Sequence, residues 1–508
     1  MTTETLQEPT TLLKHVEQLR VDAGTYHDDD QKSELGQFFT PLPVATLMAS
    51  MLGCKSETIR VLDAGAGVGS LFAACVSTLV QRKYRPKEIV VTAFESDVRL
   101  EPYLRETITH CQSACKSNGV RFSANLVMAD FIESAADRIE GGLFQADERL
   151  SFNCAILNPP YRKINSNSNE RRNLRRIGVE TSNLYTGFLA ATIMLLEPES
   201  ELVAITPRSF CNGPYFLPFR KQLLNSMALK RIHIFDSRKD AFKDNSVLQE
   251  NIIFHSVKNT RPGNIEISSS VSVDSNVTSR KVSYPELVKP GDRQYFIHIV
   301  AHEQENVAAH RISSLKCTLQ DLDLNVSTGR VVDFRTKENL RAEPESGCAP
   351  LIYPCHFLDG FISWPKYGRK PNALVKSAAT TELFVPNGNY VLVKRFSSKE
   401  ERKRIVAAVH KKDCIDDDIV GFENHLNYFH KNGKGLPLAL AKGLSCFLNT
   451  SIVDAYFRQF NGHTQVNATD LRSFKYPTWD QLTSMGNNIG NVFPDQETID
   501  ALFDKVVY

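Results

Sequence analysis

The sequence predicts an α/β protein: a doubly wound, mostly parallel sheet with helices on both faces, followed by a separate α+β domain. Three observations carry that expectation. Between about residue 44 and residue 258, short β-branched runs alternate with stretches of helical spacing, the pattern of a parallel sheet. The first of those runs ends in a glycine-rich turn that opens a helix. The alternation stops near residue 258, and beyond about residue 300 no such repeat is visible.

Residues 1–32 read as a polar amphipathic helix ending in Asp28-Asp29-Asp30, a peripheral N-terminal helical arm. Val44–Leu52 has helical spacing, and Arg60–Asp63 is a strand running into the glycine turn. Ser70–Leu79 is helical, Ile89–Glu95 a strand, and Arg99–Lys116 a long helix. Strands follow at Asn125–Ala129 and Asn153–Leu157, each ending at a polar residue. Leu184–Leu196 is a helix, Glu201–Thr206 a strand and Phe216–Met227 a helix; Arg231–Phe235 and Asn251–Val257 close the series. Ile265–Thr278 is Ser/Val-rich and polar and stands outside the repeat. In the second half, Pro344–Pro350, Asn387-Gly388-Asn389 and Asn432–Gly435 mark turns, and Ser398–His410 reads as a charged helix. The expected divisions are 1–32, 33–300 and 301–508.

A chain of 508 residues predicts two to four domains. With 42% hydrophobic and 23% charged residues, wholesale disorder is excluded. The formal net charge is only +2, so any surface for a polyanion must be a local patch. No run of about 18 apolar residues and no signal-peptide centre is present, which predicts no membrane partner. Eleven cysteines without a CxxC pair suit reduced thiols in a cytoplasmic protein, and no metal site is expected.

The glycine turn runs Asp63-Ala64-Gly65-Ala66-Gly67-Val68-Gly69. A buried strand entering glycines and then a helix lets a ligand approach the backbone and a helix N-terminus. Tight strand–helix packing also demands glycine. The D-x-G-x-G-x-G spacing resembles the S-adenosylmethionine loop of methyltransferases, with Gly65, Gly67 and Gly69 against the methionine part of the cofactor. Glu95 ends the next strand, where that resemblance places an acid on the ribose hydroxyls. Asp130, followed by Phe131, ends the third, where it places a carboxylate at the adenine amine. Successive strand ends are the ligand face of an open α/β sheet.

At the end of the fourth strand stands Asn158-Pro159-Pro160-Tyr161. Such a sequence can simply terminate a strand, because prolines donate no hydrogen bonds. It also answers a chemical problem. An exocyclic amine on a nucleobase is a poor nucleophile, since its lone pair is delocalised into the ring. The Asn158 side-chain oxygen and a main-chain carbonyl, held rigid by Pro159 and Pro160, can accept its two N–H groups and favour a pyramidal nitrogen. Tyr161 offers a ring against which a base can stack.

Together these motifs resemble the amino-group DNA methyltransferases of the N6-adenine class, over roughly residues 33–258. Gly36-Gln37-Phe38-Phe39-Thr40-Pro41 is similar to the extra cofactor motif of the γ-ordered group typified by the TaqI methyltransferase, placing Phe39, Thr40 and Pro41 on the methionine moiety. Ala241-Phe242-Lys243 resembles that group's aromatic motif, giving Phe242 the role of stacking on an extruded adenine; a plain core position is the alternative. Pro207–Gly213, Ser327–Phe334 and Gly462–Asn467 resemble the PstI/BsuBI-type modification methylases, whose implied target is the adenine of CTGCAG.

The resemblance implies a class I S-adenosylmethionine-dependent methyltransferase fold over 33–300 and a DNA target-recognition domain over 301–508. It implies S-adenosyl-L-methionine as cofactor, double-stranded DNA as substrate and a cognate restriction endonuclease as genetic partner. A chain with its own recognition domain is expected to act as a monomer. N4-cytosine methylation and glutamine methylation in a protein use the same amine logic and stay open. Arg162–Arg176, with six basic residues and one acid, reads equally as a DNA-contacting loop or a solvated one. Pro354-Cys355 lacks the glycines of a cytosine-C5 methyltransferase, and the Lys399–Lys412 run reads as a solvated helix face.

Overall fold

The computed structural model describes residues 11–25, 39–141, 151–235, 251–270, 277–299, 303–397, 401–460 and 465–507. The chain divides into two compact units, residues 1–301 and 302–508. In the first, the strands are β1 (Thr58–Ala64), β2 (Glu88–Glu95), β3 (Arg121–Met128), β4 (Phe152–Leu157), β5 (Leu196–Pro207), β6 (Met227–Phe235), β7 (Asn251–Lys258), β8 (Ile265–Ser270) and β9 (Thr278–Val282). Its longer helices are α1 (Thr11–Thr25), α2 (Leu42–Ser50), α3 (Ser70–Gln81), α4 (Glu101–Ser117), α5 (Phe131–Gly141), α6 (Asn169–Arg176), α7 (Leu184–Leu195) and α8 (Leu217–Ser226).

The nine strands form one sheet in the order β3-β2-β1-β4-β5-β7-β6-β8-β9. β1 pairs in parallel with β2 on one side and β4 on the other, so the strand order reverses between them. β7 lies antiparallel between β5 and β6. Alternate residues of β1 enter opposite layers. Leu62 and Ala64 pack with α5, α7 and α8, whereas Ile59 and Val61 pack with α1 to α4. This mixed, mostly parallel sheet with helices on both faces is the class I methyltransferase architecture. No described helix is long and apolar enough to cross a membrane.

Three expectations fail here. The N-terminal helix is not peripheral: Leu12, Leu13 and Val16 are buried in the layer of α3 and α4. Glu17 accepts a hydrogen bond from the Leu42 amide at 3.2 Å, and Ala23 packs on Val68 of the glycine turn. The polar segment after residue 258 does not leave the sheet but supplies β8 and β9. Finally, the expected Ser398–His410 helix contains a strand, Ala407–His410, in the middle of a sheet. Its apolar run is buried on both faces, with Ile405, Ala407 and Val409 in one core and Ala408 in another.

The second unit holds two sheets. Six strands run in the order Asn325–Thr328, Leu426–His430, Tyr390–Lys394, Ala407–His410, Phe361–Ile362, Phe357–Leu358. Five run Leu340–Arg341, Ala373–Val375, Cys348–Ile352, Ile419–Phe422, Phe384–Pro386. One core lies between the sheets, and another lies between the six-stranded sheet and helices that include Leu438–Leu448 and Trp479–Asn487. Those two helices meet at Gly443 and Gly486, where an added β-carbon would run into the carbonyl oxygens of Leu482 and Ala439. Backbone atoms cannot rotate away. Gly443→Val is therefore expected to lower the stability of this unit by about 3 kcal/mol, the upper end of overpacking costs, read as an earlier denaturant midpoint. A midpoint equal to wild type would show that the helices separate freely.

Candidate active site at the switch point of the large sheet

Reversal of strand order between β1 and β4 opens a crevice beyond their C-terminal ends, where open α/β sheets bind ligands. The glycine turn leaves β1 there. Gly65, Gly67 and Gly69 have φ of 81°, 59° and 90°, the left-handed region that glycine enters without a side-chain clash. The Gly65 and Ala66 amides donate to the Phe94 carbonyl at 2.9 Å, and the Gly67 amide donates to Glu95 Oε2 at 2.9 Å. Glu95 Oε1 accepts from the amides of Ser96 at 2.8 Å and Asp97 at 2.9 Å. Burial raises this carboxyl above the usual range, and the three amides oppose that rise.

Asp63 lies behind the turn rather than in the crevice. Its Oδ2 accepts from the Phe72 amide at 3.2 Å, in the first turn of α3, and the carboxyl is wholly buried. Burial pushes it up to about 8, with the neighbouring Glu95 charge adding to the rise. Its place in the structure is to set the angle between strand, turn and helix.

Phe39, Gly65, Gly67, Phe94, Glu95, Ser96, Ala129, Asp130, Phe131, Asn158, Pro160 and Phe188 line a cleft with about 560 Å³ of empty space, including the part open to solvent. A β-carbon on Gly67 would stand 3.1 Å from the Phe39 ring, so the glycine permits that ring's close approach. Asp130 Oδ1 caps α5 by accepting from the Glu133 amide at 2.8 Å. Phe188 stacks at a tilt on Phe131, with centroids 5.0 Å apart, giving the cleft an aromatic wall. The turn, two strand-end carboxylates and the rings suit a nucleoside carrying a charged tail. Of the residues expected here, Thr40, Pro41, Asp63, Gly69, Pro159 and Tyr161 are not among those that line the cleft, and Phe94, Ser96, Ala129 and Phe188, which do, were not anticipated.

Asn158 enters from the end of β4, across the crevice from the glycine turn. Its Nδ2 donates to Thr40 Oγ1 at 3.0 Å, and its Oδ1 accepts from the Tyr161 hydroxyl at 2.8 Å. That hydroxyl also stands 3.2 Å from the Ile205 carbonyl on β5. The amide is thus oriented at both ends. Tyr161 is half-buried, with its ring edge-on to Tyr185 at 6.2 Å, and burial pushes its hydroxyl far above the ordinary range. Its hydroxyl contact is a role that the sequence reading missed. Thr40, expected on the cofactor, is the acceptor that orients the asparagine amide.

Phe242 and the Gly36–Phe38 part of the upstream motif lie outside the described residues. Arg162–Arg176 is not a flexible loop: α6 occupies most of it, capped by the Ser168 side chain. Arg162 pairs with Glu170, Arg171 and Arg175 with Glu180, and Arg176 with Asp137 and Glu140. Internal carboxylates already neutralise most of that patch.

Comparison with known proteins places this geometry. The family model described as Eco57I restriction-modification methylase matches residues 93–242. The chain is 44% identical to the type II methyltransferase M.PstI of Providencia stuartii over 99% of both chains. It is also 44% identical to the type II methyltransferase M.BsuBI of Bacillus subtilis over 94% of both. Among solved structures, the type IIL restriction-modification enzyme MmeI in complex with DNA superposes with a TM-score of 0.54 at 11% identity. That match covers 98% of this chain and 74% of that one and concerns the fold alone. Identity sustained over the whole length, with the glycine turn and Asn158–Tyr161 at one crevice, shows that the chain belongs to the type II restriction-modification methyltransferases represented by M.PstI and M.BsuBI.

Proposed function

We propose that the protein transfers a methyl group from S-adenosyl-L-methionine to N6 of an adenine in double-stranded DNA, within CTGCAG. It acts as a cytoplasmic monomer that protects DNA from a cognate restriction endonuclease. The observation that carries this reading is the doubly held Asn158 amide, which lines the cleft opposite the glycine turn.

The cleft residues fit the cofactor. Phe39, Gly65 and Gly67 would hold its methionine part, Glu95 its ribose, and Asp130 and Phe131 its adenine. When bound, the cofactor supplies an electrophilic methyl on a sulfonium. Paired adenine hides its amine within the duplex, so the base must swing out to reach the cleft. Asn158 Oδ1, already accepting a hydrogen bond from the Tyr161 hydroxyl on one side, accepts one from the amine on the other. The carbonyl held by Pro159 and Pro160 takes the second. Both acceptors stand in place before reaction, so no reorganisation is needed as positive charge grows on nitrogen. Phe242 is the ring expected to stack on the flipped base, and residues 301–508 are the expected reader of sequence.

Methyl-labelled cofactor and plasmid DNA test the proposal. Nucleoside digestion is expected to place the label in N6-methyladenine, and plasmid with every CTGCAG altered is expected to stay unlabelled. Label in N4-methylcytosine or in protein would overturn the reading. Thr40→Val should slow single-turnover methylation about fivefold, the kinetic equivalent of the ~1 kcal/mol of one neutral hydrogen bond, with cofactor affinity unchanged. An equal loss in cofactor affinity would place Thr40 on the cofactor after all.

A further inference from the structure

Outside the cleft, the second unit carries a turn that the proposed chemistry does not use. Pro354–His356 follows the strand Cys348–Ile352, and Cys355 is exposed at its crest. Three lysines converge on it. Lys366 Nζ donates to the Cys355 carbonyl at 3.0 Å. Lys370 Nζ lies 4.9 Å from the centre of the Tyr353 ring, and Lys394 Nζ lies 5.4 Å from that of Phe357. Among the described residues only Lys370 of the three has an ion-pair partner, Asp333 at 2.9 Å. Partial burial raises the Cys355 thiol, and all three ammoniums draw it back.

A buried polar hub builds this arrangement. His356 Nε2 and the Lys366 amide both donate to Asn372 Oδ1, at 3.1 and 2.9 Å. The Asn372 amide nitrogen donates to the carbonyls of Lys366 and Ala342 at 3.1 and 3.0 Å. Both side chains are almost fully buried, and buried polar groups fix the local backbone only when satisfied, as they are here. Counted by sequence alone, residues 354–376 carry three excess positive charges, more than the whole chain's +2. Tyr367 and Phe334 stand exposed beside these cations, and Arg335 lies 5.5 Å over the Phe334 ring.

Asp333 and Asp417 pair with Lys370 and Lys376, but Lys366, Arg369 and Lys394 have no acid partner among the described residues. Unmatched cations held close together repel one another unless a polyanion completes them. Lysine is a point charge with rotatable donors, suited to phosphates that demand no fixed direction. We propose that the lysine-ringed turn around Cys355 is a docking surface for the phosphate backbone of duplex DNA, setting the recognition unit's register on the helix; this rests on the DNA methyltransferase reading. Contacts of this kind position a protein and carry no sequence information themselves.

The test uses the full-length protein, iodoacetamide and a fluorescent CTGCAG duplex. Cys414 is an exposed internal reference. It precedes Ile419–Phe422, which runs parallel to Cys348–Ile352, whereas Cys355 follows the latter, so the two thiols lie at opposite ends of one strand pair. Bound duplex is expected to slow alkylation of Cys355 and leave Cys414 unchanged. The double variant Lys366→Gln, Lys394→Gln is expected to flatten the plot of log affinity against log salt by about 2, at roughly 0.9 per lost phosphate contact. A Cys355 rate unmoved by bound duplex, or a wild-type salt slope in the double variant, overturns the surface. If wild type binds duplex and methylates it while Cys355 stays reactive, only the surface falls. If it neither binds nor methylates duplex, both proposals fall.

Discussion

Asn158→Ala should slow single-turnover methylation by about 10²–10³-fold, the cost of removing one preorganised partner of developing charge. In the proposed mechanism the asparagine supplies an acceptor needed chiefly as the amine nitrogen becomes pyramidal, so its loss would raise the barrier more than it weakens the ground state. The surrounding frame has independent support. Pro159 and Pro160 still fix the chain leaving β4, and Glu95 still pins the glycine turn through the Gly67 amide. Cofactor affinity and duplex affinity should accordingly stay near wild type. Tyr161 and Thr40 each lose a partner, yet Tyr161 keeps the Ile205 carbonyl at 3.2 Å. Rapid-quench kinetics with enzyme in excess separates these quantities. A wild-type rate constant would sink the amine-activation argument, and a loss confined to cofactor binding would turn Asn158 into a cleft wall.

The second large effect concerns pH. Wild-type stability should fall between pH 5 and 7 relative to Asp63→Asn, by roughly 2–3 kcal/mol, at about 1.4 kcal/mol per pH unit. Asp63 releases its proton near 3.8 in an unfolded chain but holds it to about 8 when buried. A raised carboxyl favours the fold only while both states keep the proton. Its contribution is therefore full below pH 3.8, drains away as pH climbs through the window, and changes no further above about 8. Asparagine cannot titrate and retains an oxygen for the Phe72 amide, so the variant escapes that loss. Denaturant titrations of both proteins across this range provide the comparison. Parallel stability curves would show that water reaches the carboxylate and that burial does not control it.

Much of the catalytic half was legible because its strands are covered on both faces. β1, β2, β4, β5 and β7 read as apolar runs, and β1, β2 and β4 run into the polar residues Asp63, Glu95 and Asn158 on the ligand side. β8 was missed for a physical reason. Its Ser268 and Ser270 look like loop residues, but their hydroxyls meet the two ring nitrogens of buried His233 on β6, at 2.9 and 3.1 Å. A satisfied hydroxyl can sit in a sheet, and nothing local announces the partner. α1 misled in the opposite way, since its outer face is polar and its docking site lies on helices far along the chain. At the site, the glycine turn and Asn158–Tyr161 carry their chemistry within a few consecutive residues. The Thr40–Asn158 bond spans 118 positions, and Phe188 comes from an apolar helix with no motif, so neither was visible in advance. In the second unit, the charged residues ahead of Ile405 obscured the buried strand that follows.

The antiparallel insertion of β7 between β5 and β6 also bears on how the chain emerges during synthesis. β6 leaves the ribosome before β7, yet it has no backbone pairing with β5 until β7 arrives to separate them. Until residue 258 is made, β5 ends the sheet as a raw edge whose Val203 and Ile205 are destined for the core. Open apolar edges invite pairing with other chains. A product truncated before Asn251 is accordingly expected to aggregate more readily than the full chain, and a pause in translation across 236–258 would prolong that exposure.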